Sequence, residues 1–177
     1  MKLEGRQVID TPLAQAWERI VDPRVLRACT PGLEKLEARD ADHYDALLEV
    51  RVPAITGRFE GTLEFLERVP PERLKLRLSG KGAVGFVDGE VTLMLAAVDE
   101  GTSIAYVADV QIGGQVARLG QRMISGVTRE MAGQFFGAFE RWRPEAPEQR
   151  VAAPPVSSFF QLVFRTLLRL LGLRRDD

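Results

Sequence analysis

The middle of the chain alternates apolar and polar residues through one short segment after another. This is the pattern of strands that bury one face and expose the other. Turn-forming sequences such as Pro70-Pro71 and Asp99-Glu100-Gly101 separate the segments, and their regular spacing favours consecutive antiparallel hairpins. With one more strand near the start of the chain, the sequence predicts seven strands: Lys2–Asp10, Leu33–Ala38, Tyr44–Val52, Arg58–Leu66, Arg73–Ser79, Phe86–Val98 and Thr102–Ile112.

Helical patterns are predicted before and after the six consecutive strands that run from Leu33 to Ile112. Apolar residues recur at helical spacing from Leu13 to Ile20, where Asp10 or Thr11 can cap the helix, and a shorter helix is predicted over Arg24–Cys29. After Gly113-Gly114 a long helix is predicted to about Trp142. Its apolar stripe repeats at every fourth residue: Leu119, Met123, Val127, Met131, Phe135 and Phe139.

A sheet with one apolar face needs a cover, and the long helix can supply it. The order of elements therefore predicts an α+β fold in which a curved antiparallel sheet wraps around a long C-terminal helix. We expect this domain over residues 1–143, then a Pro-rich linker over 144–155 and an amphipathic tail over 156–177.

The tail is predicted to be an amphipathic helix about 27 Å long, at about 1.5 Å per residue. Arginines interrupt its apolar stretch, and each costs roughly 2.5–3.5 kcal/mol at a bilayer centre. A position in the membrane interface is therefore favoured over crossing. The predicted membrane-binding residues are Phe159, Phe160, Val163, Phe164, Arg165, Leu167, Arg169, Leu170, Leu171, Arg174 and Arg175.

Two other destinations for the tail remain open, which are a partner protein and the domain's own surface. Pro147, Pro154 and Pro155 in the linker argue against the domain's own surface, because they separate the tail from what precedes it.

Charge and cysteine content limit the class of protein. The net charge is −1, and no clustered basic stripe of a nucleic-acid-binding protein is evident. The opening sequence lacks the apolar segment of a secretory signal, and the single cysteine, Cys29, excludes an internal disulfide. We expect a cytoplasmic protein that associates peripherally with the inner face of the cell membrane.

The sequence offers no constellation for catalysis or for a metal, so we predict neither kind of residue. His43 is the only histidine and is interpreted as polar surface, while Cys29 is interpreted as a small buried thiol. Gly80-Lys81-Gly82 is similar to a glycine-rich phosphate loop. It lies between strands, however, and is interpreted as turn geometry.

Six local patterns follow one another along residues 1–143. They are Thr11-Pro12 with Trp17; Asp22 to Leu26 through Thr30-Pro31-Gly32; Gly57 to Gly61; Gly80 to Phe86 with Gly89; Gly101-Thr102 with Tyr106; and Gly113-Gly114 leading to Ala117–Arg122 and Phe135-Phe136. As a set they resemble the carbon monoxide dehydrogenase G-subunit family, a branch of the START and polyketide-cyclase (SRPBCC) superfamily. The resemblance implies the helix-grip fold.

From the residues alone, the apolar interior fits either a filled core or a ligand cavity. The resemblance favours the cavity, because related domains commonly hold lipophilic molecules there. The implied ligand-binding residues are Phe59, Leu63, Phe65, Leu76, Leu78, Val91, Leu93, Tyr106, Val110, Met123, Val127, Met131 and Phe135.

The resemblance also implies an accessory, non-catalytic role beside a molybdenum-dependent carbon monoxide dehydrogenase or related hydroxylase. We expect the domain to hold a lipophilic ligand, an isoprenoid quinone, without a covalently attached cofactor, and to link the soluble enzyme to the membrane. One alternative is an assembly or docking factor with a closed core and no ligand. Another is a cyclase- or hydrolase-type enzyme, which would need acid–base groups in the cavity.

Overall fold

The computed structural model describes residues 1–52 and 55–144. Within them, a seven-stranded sheet in the order β1-β7-β6-β5-β4-β3-β2 is accompanied by three α-helices and one short 3₁₀ helix. The strands are β1 Lys2–Ile9, β2 Leu33–Ala38, β3 His43–Val52, β4 Ile55–Val69, β5 Arg73–Gly82, β6 Gly85–Val98 and β7 Gly101–Gly114. The helices are α1 Leu13–Ile20, α2 Pro23–Cys29, the 3₁₀ helix Val116–Leu119 and α3 Gly120–Arg141.

The sheet is antiparallel throughout, which confirms the predicted succession of hairpins. Strands β2 to β7 pair in chain order, and β1 returns to pair with β7, so that Gly5 lies opposite Tyr106. Helices α1 and α2 therefore carry the chain from one edge of the sheet to the other. The seven predicted strands and the long C-terminal helix are all present.

One predicted break lies inside a strand. Gly80-Lys81-Gly82 belongs to β5, because Gly80 pairs with Gly61 and Gly82 pairs with Gly85. The turn itself is formed by the two residues that follow, 83 and 84. Gly85 has a φ of 146°, and a Cβ there would lie 2.2 Å from the Gly113 carbonyl oxygen, so this position requires glycine.

The predicted cap of α1 is wrong. Pro12 precedes the helix and no side chain caps it. The Thr11 carbonyl instead accepts a hydrogen bond of 2.6 Å from Thr102 Oγ1, and the Asp10 N–H donates to Glu140 Oε1 at 2.8 Å. These bonds attach the end of β1 to β7 and to the end of α3.

The main core lies at the end of the sheet where β6 turns into β7. Ile9, Ile20, Leu74, Ile104 and Phe139 are the large side chains there that are fully buried. Cys29 is buried in the same cluster, as predicted. Aliphatic side chains from the sheet and aromatic ones from α3 thus close this end of the domain.

The predicted tail and nearly all of the linker, residues 145–177, lie outside the described residues. None of the helices in the described part of the chain combines the length and apolarity needed to cross a membrane.

Candidate ligand cleft between the sheet and the long helix

Helix α3 is buried at one end only. Its buried residues are Phe136, Ala138 and Phe139, whereas none of the residues from 120 to 135 is fully buried. The C-terminal end of α3 is fixed by Glu140, which accepts from Asp10. We call this well-packed end of the domain the closed half.

The N-terminal end of α3 lies at the opposite end of the sheet. The 3₁₀ helix that leads into it is held by a 3.2 Å hydrogen bond from the Val116 N–H to the Val84 carbonyl, in the turn between β5 and β6. Residues 120–132 of α3 and the sheet residues at this end form what we call the open half.

The side of α3 that faces the core differs from the predicted stripe. A repeat of four residues advances by about 40° per step on a helix of 3.6 residues per turn, so Met123 lies about 160° around the axis from Phe139. Met123 is 39% exposed. The core-facing line, traced back from Phe139, instead passes along Phe135, Ala132, Thr128 and Ser125.

This line is aromatic in the closed half and has small residues in the open half. The rings of Phe135 and Phe139 lie 5.7 Å apart and pack with the main core. Ala132, Thr128 and Ser125 replace them towards the N-terminus, and all three are half-buried. The helix therefore fills the closed half and leaves room in the open half.

The sheet has the same gradient. In the closed half, Leu74 pairs with the equally apolar Leu93. Further along the same face, Leu63 pairs with Leu78, and Leu78 pairs with Gly89. Leu78 is 37% exposed although it lies on the apolar face.

Gly80 is a point at which the sheet leaves room for a side chain. A Cβ at Gly80 would have the Phe59 Cβ at 3.8 Å as its nearest neighbour, which is ordinary van der Waals contact. Small residues on the sheet and on α3 therefore coincide in the open half. The described side chains therefore cover the apolar face of the sheet only partly in the open half, and we call the space between this face and α3 the cleft.

Few polar groups border the cleft. Thr128 Oγ1 donates to the Ile124 carbonyl at 2.9 Å, and the Tyr106 ring lies directly over Gly5. Among the described residues, Thr11 and Thr102 are the only buried polar or charged ones, and they bond to each other in the closed half. The cleft can thus hold an apolar molecule and offer it hydroxyl groups.

The thirteen residues predicted to bind a ligand divide into two groups, and their role stays a prediction. The buried ones are Phe59, Phe65, Leu76, Leu93 and Val110. The partly exposed ones are Leu63, Leu78, Val91, Tyr106, Met123, Val127, Met131 and Phe135. Phe65, Leu76 and Leu93 are part of the main core, and four of the partly exposed residues also pack against it: Leu63, Val91, Tyr106 and Phe135. Leu78, Met123, Val127 and Met131 are not among the residues of this core.

Ser125, Thr128 and Ala132 were missed by sequence reasoning. Their signal is a spacing that alternates between four and three residues, from Ser125 through Thr128, Ala132 and Phe135 to Phe139. Such alternation keeps one straight face on a helix, whereas a constant step of four does not.

His43 and Cys29 both have structural surroundings. His43 is exposed, and its Nδ1 lies 2.8 Å from Asp40 Oδ1 while its Nε2 lies 3.3 Å from Glu64 Oε1. The hydrogen bond to Asp40 raises the pKa of His43. Burial raises the pKa of the Cys29 thiol to about 11, so the thiol stays protonated near neutral pH.

Solved structures with the same fold include proteins from several bacteria. A conserved protein from Geobacillus kaustophilus is 30% identical, with a TM-score of 0.76 over 80% of this chain and 93% of its own. A protein from Rhizobium leguminosarum is 16% identical, with a TM-score of 0.60 over 80% and 95% of the two chains. A protein from Chromobacterium violaceum is 18% identical, with a TM-score of 0.57 over 79% and 95%.

No curated protein matches the chain in sequence. The family model of the carbon monoxide dehydrogenase G-subunit (CoxG), however, matches residues 5–141. That range includes nearly the whole sheet and all of α3. The chain therefore belongs to the CoxG family of carbon monoxide dehydrogenase proteins.

Proposed function

We propose that this chain is a non-catalytic accessory protein that carries a lipophilic ligand in the open half and brings it to a soluble redox enzyme. The observation that supports this most directly is the incompletely buried apolar face of the sheet in the open half. Leu63, Leu78 and Val91 line the sheet side of the cleft without being fully buried. Ligand binding would remove their apolar surface from water, which is favourable.

The ligand that we propose is an isoprenoid quinone. Each CH₂ group that it buries is worth about 0.8 kcal/mol, so a few isoprene units suffice for useful affinity. The Ser125 hydroxyl is a suitable donor for a quinone carbonyl, because it forms no hydrogen bond to another described residue. The family name supports this choice, because carbon monoxide oxidation releases electrons that a quinone can accept.

The partner that we propose is a molybdenum-dependent carbon monoxide dehydrogenase or a related hydroxylase. The tail, with its predicted interfacial face and Arg165, Arg169, Arg174 and Arg175, would hold the protein at the inner face of the cell membrane. Quinones dissolve in that membrane, so one protein would connect the enzyme with its electron acceptor.

A quinone-loading experiment tests the proposal. Purified full-length protein is incubated with a quinone, passed through gel filtration and extracted with solvent for mass spectrometry. We expect about one quinone per chain, and a loss of most of it in Gly80→Leu, because the new side chain enters the cleft. The matched control, Ala96→Leu, places the same side chain at an exposed position and should retain quinone.

Absence of quinone from the loaded wild-type protein would contradict the proposal. Equal retention by Gly80→Leu and Ala96→Leu would place any bound quinone outside the cleft.

A second candidate function is a docking module for the enzyme, and a different observation favours it. Val8, Met94 and Val107 are 51%, 47% and 39% exposed on neighbouring strands of the outer face. Exposed apolar residues that cluster in this way are typical of protein interfaces. If this function holds, Met94→Glu should abolish capture of the enzyme by the full-length protein without changing quinone retention.

A further inference from the structure

Two segments at the end of the open half carry positive charge and no carboxylate of their own, although Glu60 lies opposite Lys81 on the neighbouring strand. Residues 80–87 and 110–129 contain no aspartate or glutamate, whereas they include Lys81, Arg118 and Arg122. The fold brings the two segments together, because Gly85 pairs with Gly114 and the Val116 N–H bonds to the Val84 carbonyl. We call residues 80–87 and 115–122 the basic tip.

The turns at the opposite end of the sheet contain carboxylates. The turn between β6 and β7 contains Asp99 and Glu100, and the turn between β4 and β5 contains Glu72, all of them exposed. Exposed Arg68 and Arg73 flank the second of these turns and pair with Asp42 and Glu67, so this end carries both signs of charge. An anionic surface would attract the end at which the cleft lies.

The two arginines of the basic tip form no ion pair within the described part of the chain. On the outer face of the sheet, Lys75 and Arg77 both pair with Glu90, at 2.6 and 2.8 Å. Arg118 and Arg122 are exposed and have no such carboxylate partner among the described residues, whereas Lys81 lies opposite Glu60. The two arginines are free to meet an external anion.

The basic tip also exposes apolar side chains. Phe86 is 45% exposed, Ala83 is exposed and Val84 is half-buried. Beside them lies a separate shallow groove of about 220 Å³, which Lys81, Val84 and Phe86 help to line. Apolar side chains surrounded by cations match the chemistry of an anionic bilayer, where chains lie below phosphate groups.

We propose that the basic tip docks onto an anionic lipid bilayer and thereby directs the open half of the domain towards the membrane. This contact extends the proposed function and rests on the proposal that the protein works at the inner face of the cell membrane. The domain itself thus contacts lipid at a site separate from the tail. A quinone would then pass between the bilayer and the cleft without crossing open water.

Site-specific labelling of the full-length protein tests this contact. Cys29 is 1% exposed and its pKa is about 11, so a maleimide dye reacts selectively with an introduced cysteine. The test variant is Ala83→Cys in the basic tip, and the matched control is Ala97→Cys at the opposite end; both positions are exposed. Each carries a polarity-sensitive fluorophore.

Vesicles of equal parts phosphatidylglycerol and phosphatidylcholine should shift the emission at residue 83 to the blue and leave residue 97 unchanged. Vesicles of phosphatidylcholine alone should give no shift, because this lipid has a phosphate group but no net negative charge. Inorganic phosphate added without vesicles should also give none, which distinguishes a bilayer from a free anion.

Charge removal provides a second arm. Arg118→Gln/Arg122→Gln should weaken partitioning onto the anionic vesicles about thirtyfold, since each cation near such a surface contributes on the order of 1 kcal/mol. The matched control, Lys2→Gln/Arg6→Gln, removes two exposed cations from β1 and should partition like the wild-type protein.

An unshifted residue 83 on a chain that floats with the anionic vesicles would overturn the inference, as would equal losses in the two charge variants. The result is independent of quinone retention. A chain that docks by its tip but retains no quinone would contradict the proposed function alone.

Discussion

The two halves of the domain use the same sheet and the same helix but pack differently. In the closed half, α3 contributes Phe135 and Phe139 to the main core. In the open half it contributes Ser125 and Thr128, and the sheet contributes Gly80, where a Cβ would have room. One end of the domain therefore provides stability, which leaves the other end free to hold a ligand.

The largest effect is expected from removing an aromatic side chain of the closed half. Phe139 is fully buried, so Phe139→Ala should lower the free energy of unfolding by about 3–5 kcal/mol. In the open half, Val127 is only half-buried, so Val127→Ala should cost less than about 1 kcal/mol. Urea titration followed by circular dichroism measures both, and similar losses would show that the two halves are equally well packed.

The seven strands could be predicted because an alternation with a period of two survives errors of a residue or two at either end. The face of α3 that packs against the core could not be predicted in the same way. A stripe of apolar residues four apart, such as Met123 and Val127, turns slowly around the helix, and only the partner surface decides which part of it is buried. Gly80 was assigned to a break because glycine favours turns, whereas the pairing with Gly61 keeps it within a strand.

The site shows the same limit of sequence reasoning. Leu63, Leu78 and Val91 follow from the alternation alone, and their position on the apolar face was predictable. The basic tip was not recognised, because residues 80–87 and 115–122 are separate in sequence and only the order of the strands brings them together.

A smaller loss of stability is expected from a single hydrogen bond in the closed half. Thr102 is fully buried and its hydroxyl donates to the Thr11 carbonyl at 2.6 Å. Thr102→Val keeps the shape but leaves that carbonyl without its donor, which should cost about 1–3 kcal/mol. Thr92→Val, at a half-buried position, is the control, and equal urea midpoints for the two variants would contradict the assignment.

Filling the open half from the helix side should change stability little and ligand retention strongly. Ser125→Leu places an apolar side chain on the core-facing line, where the cleft has room for it. Glu130→Leu places the same side chain about 180° around the helix axis from Phe139, at an exposed position. The account predicts that Ser125→Leu alone loses quinone, as measured by solvent extraction; retention by both variants would argue against a cleft beside Ser125.

The smallest effect concerns the ion pairs on the outer face, which belong to neither half. The hydrogen bond to Asp40 raises the pKa of His43 from its usual value near 6.5. The stabilisation of the fold by this pair is therefore complete below that value and is lost as the pH rises through the raised pKa. The hydrogen bonds to Lys75 and Arg77 lower the pKa of Glu90. The stabilisation that these ion pairs give the fold is therefore lost only in acid. Both groups are exposed, so the effects are small.

Thermal unfolding at several pH values measures the contribution of His43. The wild-type protein should lose a little stability as the pH rises from about 6 to about 8, on either side of the usual histidine pKa, and His43→Gln should lack this slope. An unchanged slope in the variant would assign the pH dependence to another group.

A crystal structure of the quinone-loaded protein would show whether the open half holds a lipophilic ligand. The account predicts electron density for the ligand between the core-facing line of α3, at Ser125 and Thr128, and the sheet at Leu63 and Leu78. An open half closed by these side chains themselves, with quinone bound elsewhere or not at all, would contradict it.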